Sequence, residues 1–378
     1  MPKTFDYIII GGGLAGLQLA LRFAEDPFFN NKQFAIIDPS KKIENDKTWC
    51  FWEKGKGKWE SIIHKTWESG RFLTNSKYLK FQLEPYHYKM IRSEDFYAFA
   101  KSQLQQASNF EFIQDSISEI DLVNKIASGI NKSYTASHFF DSRITSEYLE
   151  NPKYTMLFQH FKGWIIETDT NRFDPDQFTM MDYRLKHKDS TSFTYILPLS
   201  RTKALVEFTF FTPYLTDESV YDEHLQTYIK DFLDLENYKI LETEKGIIPM
   251  TDFPFHHENN SLVTKIGTGG SWVKGSTGYS FKHTEKKTAK IIENLKAGKD
   301  PKFNLINNRF RWYDAIFLDV LKRNNEMGEK IFSDFYSKNS PENILKYLDE
   351  ETTLKEDLKV MLSLFHIEFI KSFFRRGF

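Results

Sequence analysis

The sequence contains a single cysteine, Cys50, and no long uninterrupted run of apolar residues. One thiol cannot form an intrachain disulfide or a cysteine-rich metal site, which fits a reducing cytoplasm. No window approaches the roughly 18 to 20 consecutive apolar residues of a membrane-spanning helix. We also expect no signal peptide, because a structured glycine motif begins at residue 11. The predicted location is therefore the cytoplasm.

The sequence also lacks net charge, with 51 Lys and Arg against 52 Asp and Glu in 378 residues. Without a basic excess, nucleic acid is not an expected partner. The histidines, among them His64, His87, His256, His257 and His283, show no metal-ligand spacing, so no metal is predicted. Neither a P-loop nor a Gly-x-Ser-x-Gly elbow is present, which argues against kinases and hydrolases.

Aromatic residues are abundant instead, with 36 Phe, 18 Tyr and 7 Trp. Most of them are expected to replace Leu in the hydrophobic core. Pockets for long apolar ligands are lined by such side chains, so part of the surplus is compatible with an apolar ligand site.

Residues 5–16, FDYIIIGGGLAG, predict a buried strand that enters a glycine-rich turn and then a helix. In this motif Gly11 makes the tight turn, Gly13 admits the phosphates of a dinucleotide, and Gly16 allows close helix packing. The phosphates then lie at the positive end of the helix. The predicted cofactor-binding residues of this motif are Gly11, Gly12, Gly13, Leu14, Ala15 and Gly16.

A second apolar run ends in Asp38, about 20 residues beyond the glycines, where an acid accepts the ribose hydroxyls. A second glycine-rich stretch, residues 266–281, contains Gly267, Gly278 and Tyr279, which we predict to contact the cofactor. Its backbone amides suit a flavin ring or a phosphate, whereas the alternative is a plain surface loop. Together the two stretches favour an FAD enzyme whose cofactor segments bracket a substrate domain.

The length favours two interleaved domains followed by helices. Ser93 is predicted to cap a helix, and longer alternating strands begin near residue 154. From Val360 we expect one final helix packed on the core, with an interfacial helix on anionic lipid as the alternative. The predicted limits are 1–75, 93–150 and 255–300 for the FAD-binding domain, 76–92 and 151–254 for the substrate domain, and 301–378 for the C-terminal helices.

Two carboxyl groups are candidates for catalysis. Strand alternation places Leu205, Glu207 and Thr209 on one face of a predicted strand, so Glu207 lies among apolar neighbours. Such surroundings raise the pKa of a carboxyl, as a proton donor at neutral pH requires, but an ion pair across the sheet is the alternative. Asp182 is a similar candidate, for which the nearby Arg184 and Lys186 offer partners.

Several stretches make the chain similar to the bacterial and plant lycopene β-cyclases. The resemblance runs over most of the sequence and is most specific where Tyr-x-Leu-Pro-Leu-Ser is followed by a Glu-x-Thr strand. The stretches are DYIIIGGGLAG, DKTWCFW, YHYKMIRSEDFYAF, FFDSR, FKGWIIET, FTMMDYR, YILPLSRTKALVEFT and STGYSF.

This resemblance implies an α/β fold of the flavoprotein monooxygenase and glutathione-reductase type, with a Rossmann-like FAD-binding domain and an interleaved antiparallel-sheet substrate domain. It implies a redox-neutral cyclisation of lycopene through γ-carotene to β-carotene, an intramolecular lyase or isomerase reaction that requires reduced FAD and NADPH as electron donor. Glu207 matches the proton-donating glutamate, and Asp182 is the expected second polar group of the tunnel. The insoluble polyene substrate implies peripheral contact with the inner face of the cell membrane.

Two positions depart from the family pattern. Phe208 stands where members often carry a second acid, and Thr268 stands where related flavoproteins carry Asp. The alternative functions are a redox flavoenzyme of the same fold, either an aromatic hydroxylase or a prenyl-chain reductase, and a non-catalytic carotenoid or flavin carrier.

Overall fold

The computed structural model describes residues 3–377 in three β-sheets and a set of helices. The strands are β1 (Lys3–Ile10), β2 (Phe34–Asp38), β3 (Thr48–Lys54), β4 (Lys65–Trp67), β5 (Ser69–Leu73), β6 (Tyr78–Gln82), β7 (Tyr86–Arg92), β8 (Phe110–Gln114), β9 (Ile117–Asp121), β10 (Ile126–Gly129), β11 (Ser133–Asp141), β12 (Met156–Glu167), β13 (Gln177–Asp182), β14 (Ser192–Pro198), β15 (Lys203–Thr212), β16 (Lys239–Thr251) and β17 (Val263–Lys265).

The α-helices are α1 (Leu14–Glu25), α2 (Ser93–Leu104), α3 (Glu147–Glu150), α4 (Glu218–Asp231), α5 (Phe281–Lys296), α6 (Asn308–Arg323), α7 (Gly328–Lys338), α8 (Pro341–Leu348), α9 (Leu354–Ser363) and α10 (Ile367–Arg376). No helix within residues 3–377 combines the length and the apolar character needed to cross a bilayer.

The first sheet carries the predicted dinucleotide motif. Strands β8, β2, β1, β11 and β17 run parallel, whereas β10 pairs antiparallel with β11 and β9 pairs antiparallel with β10. Parallel strands that are covered on both sides are apolar throughout, as the buried run from Ile8 to Ile10 shows. Helices α1, α2 and α5 contribute to the core on one face of this sheet. This arrangement confirms the predicted α/β class.

The second sheet has the order β16, β12, β15, β14, β13, β5, β6 and is antiparallel except between β13 and β5. Strand β15 lies between β12 and β14, and residues 204–212 of it are buried. On one face Val206, Phe208 and Phe210 pack against α4. On the other face Leu205 and Phe211 belong to a core that helices α6–α8 complete.

A small third sheet of β3, β7 and β4 connects the two larger sheets. The Tyr88 hydroxyl on β7 hydrogen-bonds to that of Tyr195 on β14 at 2.9 Å and to that of Tyr279 at 3.2 Å. One buried phenol of this sheet is thus tied both to the second sheet and to the second glycine-rich stretch.

The final segment is divided into two helices, so the prediction of one continuous helix from Val360 is wrong. Helix α9 ends at Ser363, and extended His366 caps α10 by accepting a hydrogen bond from the Glu368 amide. The predicted basic end packs on the protein, because Arg375 contacts Asp319 at 2.6 Å. Arg376 is likewise paired, with Asp252 at 3.2 Å.

Two further predictions are corrected at the level of single elements. Ser93 is the first residue of α2 rather than its cap, and its hydroxyl instead accepts a hydrogen bond from the Lys47 amide. Strand β5 belongs to the second sheet, although the predicted limit at residue 75 places residues 69–73 in the first domain, because its backbone pairs with β13. The other domain limits stay predictions.

Candidate active site

The first glycine motif has the geometry that its spacing predicts. Gly11 has a φ of +106°, and a Cβ on Gly16 would lie 2.0 Å from the Gly11 carbonyl oxygen. Tight turning at Gly11 and close packing at Gly16 therefore both require glycine. Gly13 differs, since a Cβ there would meet no atom within 4 Å. The space over Gly13, at the N-terminus of α1, is open to a ligand.

Asp38 ends β2 and supports the turn. Its Oδ2 accepts a hydrogen bond from the Gly12 amide at 2.7 Å, and its Oδ1 accepts one from the Ser40 amide at 2.7 Å. Each oxygen keeps a second lone pair for a ligand hydroxyl. Asp38 is thus held beside the glycine turn, where the ribose contact is predicted.

The second glycine-rich stretch folds against the first. Gly267 has a φ of +58°, and a Cβ on it would lie 3.1 Å from the Cβ of Ala15 in the first turn of α1. Thr268 follows in a short 3₁₀-helix, residues 267–270. Further along, the buried hydroxyl of Thr277 has no hydrogen-bond partner among the described residues. Both stretches therefore border one space, and the unpartnered Thr277 hydroxyl belongs to its lining.

That space is part of a single cavity of about 480 Å³ that continues to the second sheet. Its glycine-rich end is lined by Gly13, Leu14, Ala15, Gly16, Gly267, Gly278 and Tyr279. Of the predicted cofactor residues, Gly11, Gly12 and Asp38 lie behind this lining rather than in it. Its opposite end is lined by Phe161, Met181, Phe193, Leu205, Phe211, Phe332, Phe335 and Tyr336. A polar region beside the glycines and an apolar, aromatic chamber thus belong to one cavity.

Glu207 lies on the cavity face of β15, as strand alternation predicts, and is 7% exposed. Its Oε1 accepts a hydrogen bond from the Thr209 hydroxyl at 2.6 Å. The alternative, an ion pair across the sheet, is absent among residues 3–377, because the opposing residues are Gly163 on β12 and Tyr195 on β14. Burial, followed by the negative charge of Glu244, raises the pKa of Glu207 well above its usual range.

Glu244, on β16, is a second carboxyl of the same cavity. It lies opposite Gly163 from the other side, so Glu207, Gly163 and Glu244 form one row across three strands. Its Oε2 accepts a hydrogen bond from the Thr48 hydroxyl at 2.7 Å. Burial also raises the pKa of Glu244. The site therefore contains a carboxyl pair that the sequence analysis did not predict.

Asp182 lies elsewhere. It is fully buried at the end of β13, and its Oδ2 contacts the guanidinium of Arg184 at 2.6 Å and accepts a hydrogen bond from the Tyr228 hydroxyl at 2.5 Å. It does not line the cavity. This placement corrects the expectation that Asp182 faces a substrate tunnel and fits the alternative of an ion pair with Arg184.

Cys50 lines the cavity near these groups, but its thiol is not a nucleophile at neutral pH. Burial raises the pKa of its thiol to about 12, so the thiolate that nucleophilic attack requires is not formed at neutral pH. Burial likewise raises the pKa of Tyr88 and Tyr195. These groups stay neutral, and the carboxyl pair is the acidic part of this region.

A sequence profile of the family described as "Lycopene cyclase protein" matches residues 6–373. This chain belongs to the lycopene cyclase family. The match covers both glycine-rich stretches, the second sheet and nearly all of the C-terminal helices of this family member. No individual curated protein matches it significantly.

Solved structures support the fold of this lycopene cyclase family member. A geranylgeranyl bacteriochlorophyll reductase-like protein from Thermoplasma acidophilum is 11% identical, with a TM-score of 0.63 and 100% of each chain covered. A flavin-dependent brominase is 10% identical, with a TM-score of 0.67, covering 99% of this chain and 100% of that one. A flavoprotein/dehydrogenase from Cytophaga hutchinsonii is 10% identical, with a TM-score of 0.61 and coverage of 95% and 99%. At these identities the likeness establishes a shared flavoprotein-type fold.

Proposed function

We propose that this protein is a lycopene β-cyclase. It would close the acyclic ψ ends of lycopene to β-ionone rings, giving γ-carotene and then β-carotene as a redox-neutral intramolecular lyase or isomerase. The observation that carries this proposal is Glu207, a buried carboxyl with a raised pKa on the wall of an aromatic chamber. Together with family membership, such an acid suits protonation of an apolar polyene better than hydride transfer.

We infer that FAD is the cofactor, because the residues present fit its parts. Gly13 leaves space for a pyrophosphate at the N-terminus of α1, and Asp38 lies where a ribose would be held. The unpartnered hydroxyl of Thr277, beside Gly278 and Tyr279, is available to the isoalloxazine end. Bound in its reduced, anionic form, the flavin would supply fixed negative charge beside a developing carbocation. NADPH is the proposed source of its electrons.

Glu207 would start the reaction as a general acid. Thr209 donates to Oε1, which leaves Oε2 as the oxygen that carries the transferable proton. Breaking that O–H bond and forming a C–H bond at the terminal double bond leaves a tertiary cation, which the neighbouring double bond attacks. Loss of a ring proton to the Glu207 carboxylate then completes the β-ionone end and restores the acid, so protons and electrons balance. The aromatic lining around the acid, including Phe193 and Phe211, keeps water from the cation.

Peripheral contact with the inner face of the cell membrane is part of the proposal, since lycopene resides in lipid. Leu354, Leu358 and Leu362 form an exposed apolar stripe with helical spacing on α9, and Phe365 follows it, also exposed. Exposed apolar stripes of this kind suit the lipid interface. This stripe, rather than the paired cations of α10, is the proposed contact.

The test is pigment chromatography of a lycopene-accumulating bacterial host that expresses the protein, Glu207→Gln, or the exposed control Glu236→Gln. We expect β-carotene with the unmodified protein and the control, and lycopene alone with Glu207→Gln. Unchanged lycopene in all three would refute the cyclase. Stoichiometric NAD(P)H consumption with a reduced or hydroxylated product would instead support a redox flavoenzyme, and pigment that binds without changing would support a carrier.

A further inference from the structure

We propose that Glu244 is a positioning residue whose carboxylate keeps the transferable proton on Glu207, so that the two glutamates act as a one-proton pair. This inference rests on the proposed function, in which Glu207 is the acid. It assigns a role to a residue of β16, a strand that shows no catalytic motif.

The backbone brings the two carboxyls together. Gly163 of β12 pairs directly with Glu207 of β15 on one side and with Glu244 of β16 on the other. Residues directly opposite in antiparallel strands project from the same face, so both glutamates project over Gly163. A Cβ on Gly163 would lie 3.2 Å from the Cβ and 3.4 Å from the Cγ of Glu207. The missing side chain of Gly163 thus leaves room over β12 for both carboxyls.

The charges around the pair leave it without a counter-ion. Arg92 of β7, the cation whose charge acts on Glu244, is held by Glu242 through two hydrogen bonds of 3.0 and 2.9 Å and by Glu94 at 2.9 Å. No ion pair involves Glu207 or Glu244 among residues 3–377. The other groups that face the pair are the Thr48 hydroxyl on β3 and the neutral Cys50, Tyr88 and Tyr195.

Ionising both carboxyls is unfavourable, because Glu207 is buried and neither carboxyl has an ion-pair partner among residues 3–377, so one proton stays with the pair. Burial raises the pKa of both carboxyls, and the negative charge of Glu244 raises that of Glu207 further, well above its usual range. The proton therefore resides on Glu207, which faces the apolar chamber, while Glu244 stays the carboxylate.

The carboxyl pair also recovers its proton at the end of the reaction. When Glu207 gives its proton to the polyene, two carboxylates are left side by side and repel each other. This repulsion favours uptake of the proton that the closing ring releases, which forms an O–H bond on the pair as the ring C–H bond breaks. One proton enters the polyene and one returns, so no co-reactant is required.

The experiment compares the pH dependence of lycopene cyclisation by the purified, flavin-reduced enzyme on vesicle-borne lycopene. Glu244→Gln removes the negative charge, so the alkaline limb should move down by at least about one pH unit, with roughly tenfold less activity at neutral pH. Activity should recover at acidic pH, where Glu207 is protonated without help. Glu244→Asp should keep the wild-type limb, and the exposed control Glu236→Gln should behave as wild type. An unshifted limb, or a loss that acid does not restore, would overturn the inference.

A second measurement separates this inference from the proposed function. Infrared spectra of the substrate-free protein should contain a protonated carboxyl band at neutral pH that is absent in Glu207→Gln and titrates at lower pH in Glu244→Gln. If the wild type forms no cyclic carotenoid but the band behaves in this way, the pair exists and the cyclase proposal fails. A band that is unchanged in Glu244→Gln overturns the pair itself.

Discussion

Glycines 13 and 16 of the first motif should respond oppositely to the same added methyl group. Gly13 has a φ of −85°, a value that alanine adopts readily, and a Cβ there lies in open space. Gly16 is packed so closely that its Cβ would lie 2.0 Å from a backbone oxygen and 3.0 Å from Ile9 Cγ2. We therefore predict that Gly13→Ala impairs flavin binding without destabilising the fold, and that Gly16→Ala destabilises the fold.

The magnitudes follow from these contacts. At Gly13 the weaker helix capping by alanine and the lower entropy of its unfolded chain nearly cancel, each being worth about 0.5 to 1 kcal/mol. The methyl group would displace a phosphate from an amide, and losing a charge-assisted hydrogen bond of about 1.5 to 3 kcal/mol weakens binding roughly 10- to 100-fold. At Gly16 overpacking costs about 3 kcal/mol, of which helix propensity offsets about 1 kcal/mol.

Two assays decide the matter. Quenching of flavin fluorescence gives the dissociation constant, and guanidinium unfolding of the flavin-free proteins gives the free energy of unfolding. Wild-type affinity in Gly13→Ala would refute the assignment of the phosphate site, and wild-type stability in Gly16→Ala would refute the packing argument.

Three further outcomes are expected. Gly163→Ala should reduce cyclisation by about 100-fold, because it displaces the neighbouring Glu207, while flavin affinity stays unchanged; equal rates would contradict this. Asp182→Asn should lower the free energy of unfolding, measured in urea, by about 3 kcal/mol, because Arg184 loses the negative charge of its buried partner. Unaltered stability would argue against a structural ion pair. Burial lowers the pKa of Lys287 to about 8. Between pH 8 and its ordinary pKa of about 10.4, Lys287 is therefore protonated in the unfolded chain but not in the folded protein, so the free energy of unfolding of the wild type rises with pH in this range. Lys287→Met should therefore be more stable by up to about 3 kcal/mol at pH 7, and a difference that fails to shrink by pH 10 would refute the assignment.

Local signals were sufficient for the nucleotide-type turn and for the orientation of Glu207. The turn is defined by glycines within six residues, Gly11 to Gly16, and its geometry follows from sterics that involve few distant atoms. The cavity face of β15 follows from alternation alone. In both cases the relevant contacts are close in sequence or are fixed by the period of the strand.

Glu244 was missed because its role depends on pairing across strands. The first five residues of the strand from Lys239 to Thr251 are exposed, and its Lys and Glu residues are of types that are depleted in strands. Its length comes from a long antiparallel ladder with β12, and its carboxyl is brought to Glu207 by the shared partner Gly163. The only available signal was the alternation of Glu242, Glu244 and Gly246, which is too short and too polar to distinguish from a solvated segment.

For Asp182 and the C-terminal segment, the local sequence pattern suggested a role or a structure that tertiary contacts overrule. Asp182 sits in the same kind of apolar sequence surroundings as Glu207, and only the tertiary position of Arg184 and Tyr228 decides that it is an ion-pair partner. The apolar spacing after Val360 continues past residue 366, so periodicity alone cannot reveal that the backbone becomes extended at His366.

The continuity of the cavity from the glycine-rich turns to the aromatic chamber has a thermodynamic consequence. Ligands bound at the two ends share a boundary. Each ligand therefore changes the contact surface and the side-chain mobility that the other ligand finds in the cavity. Any factor by which one ligand alters the affinity of the other must then apply in both directions. A compound that fills only the chamber would in this way report, through its own affinity, on whether the glycine-rich end is occupied.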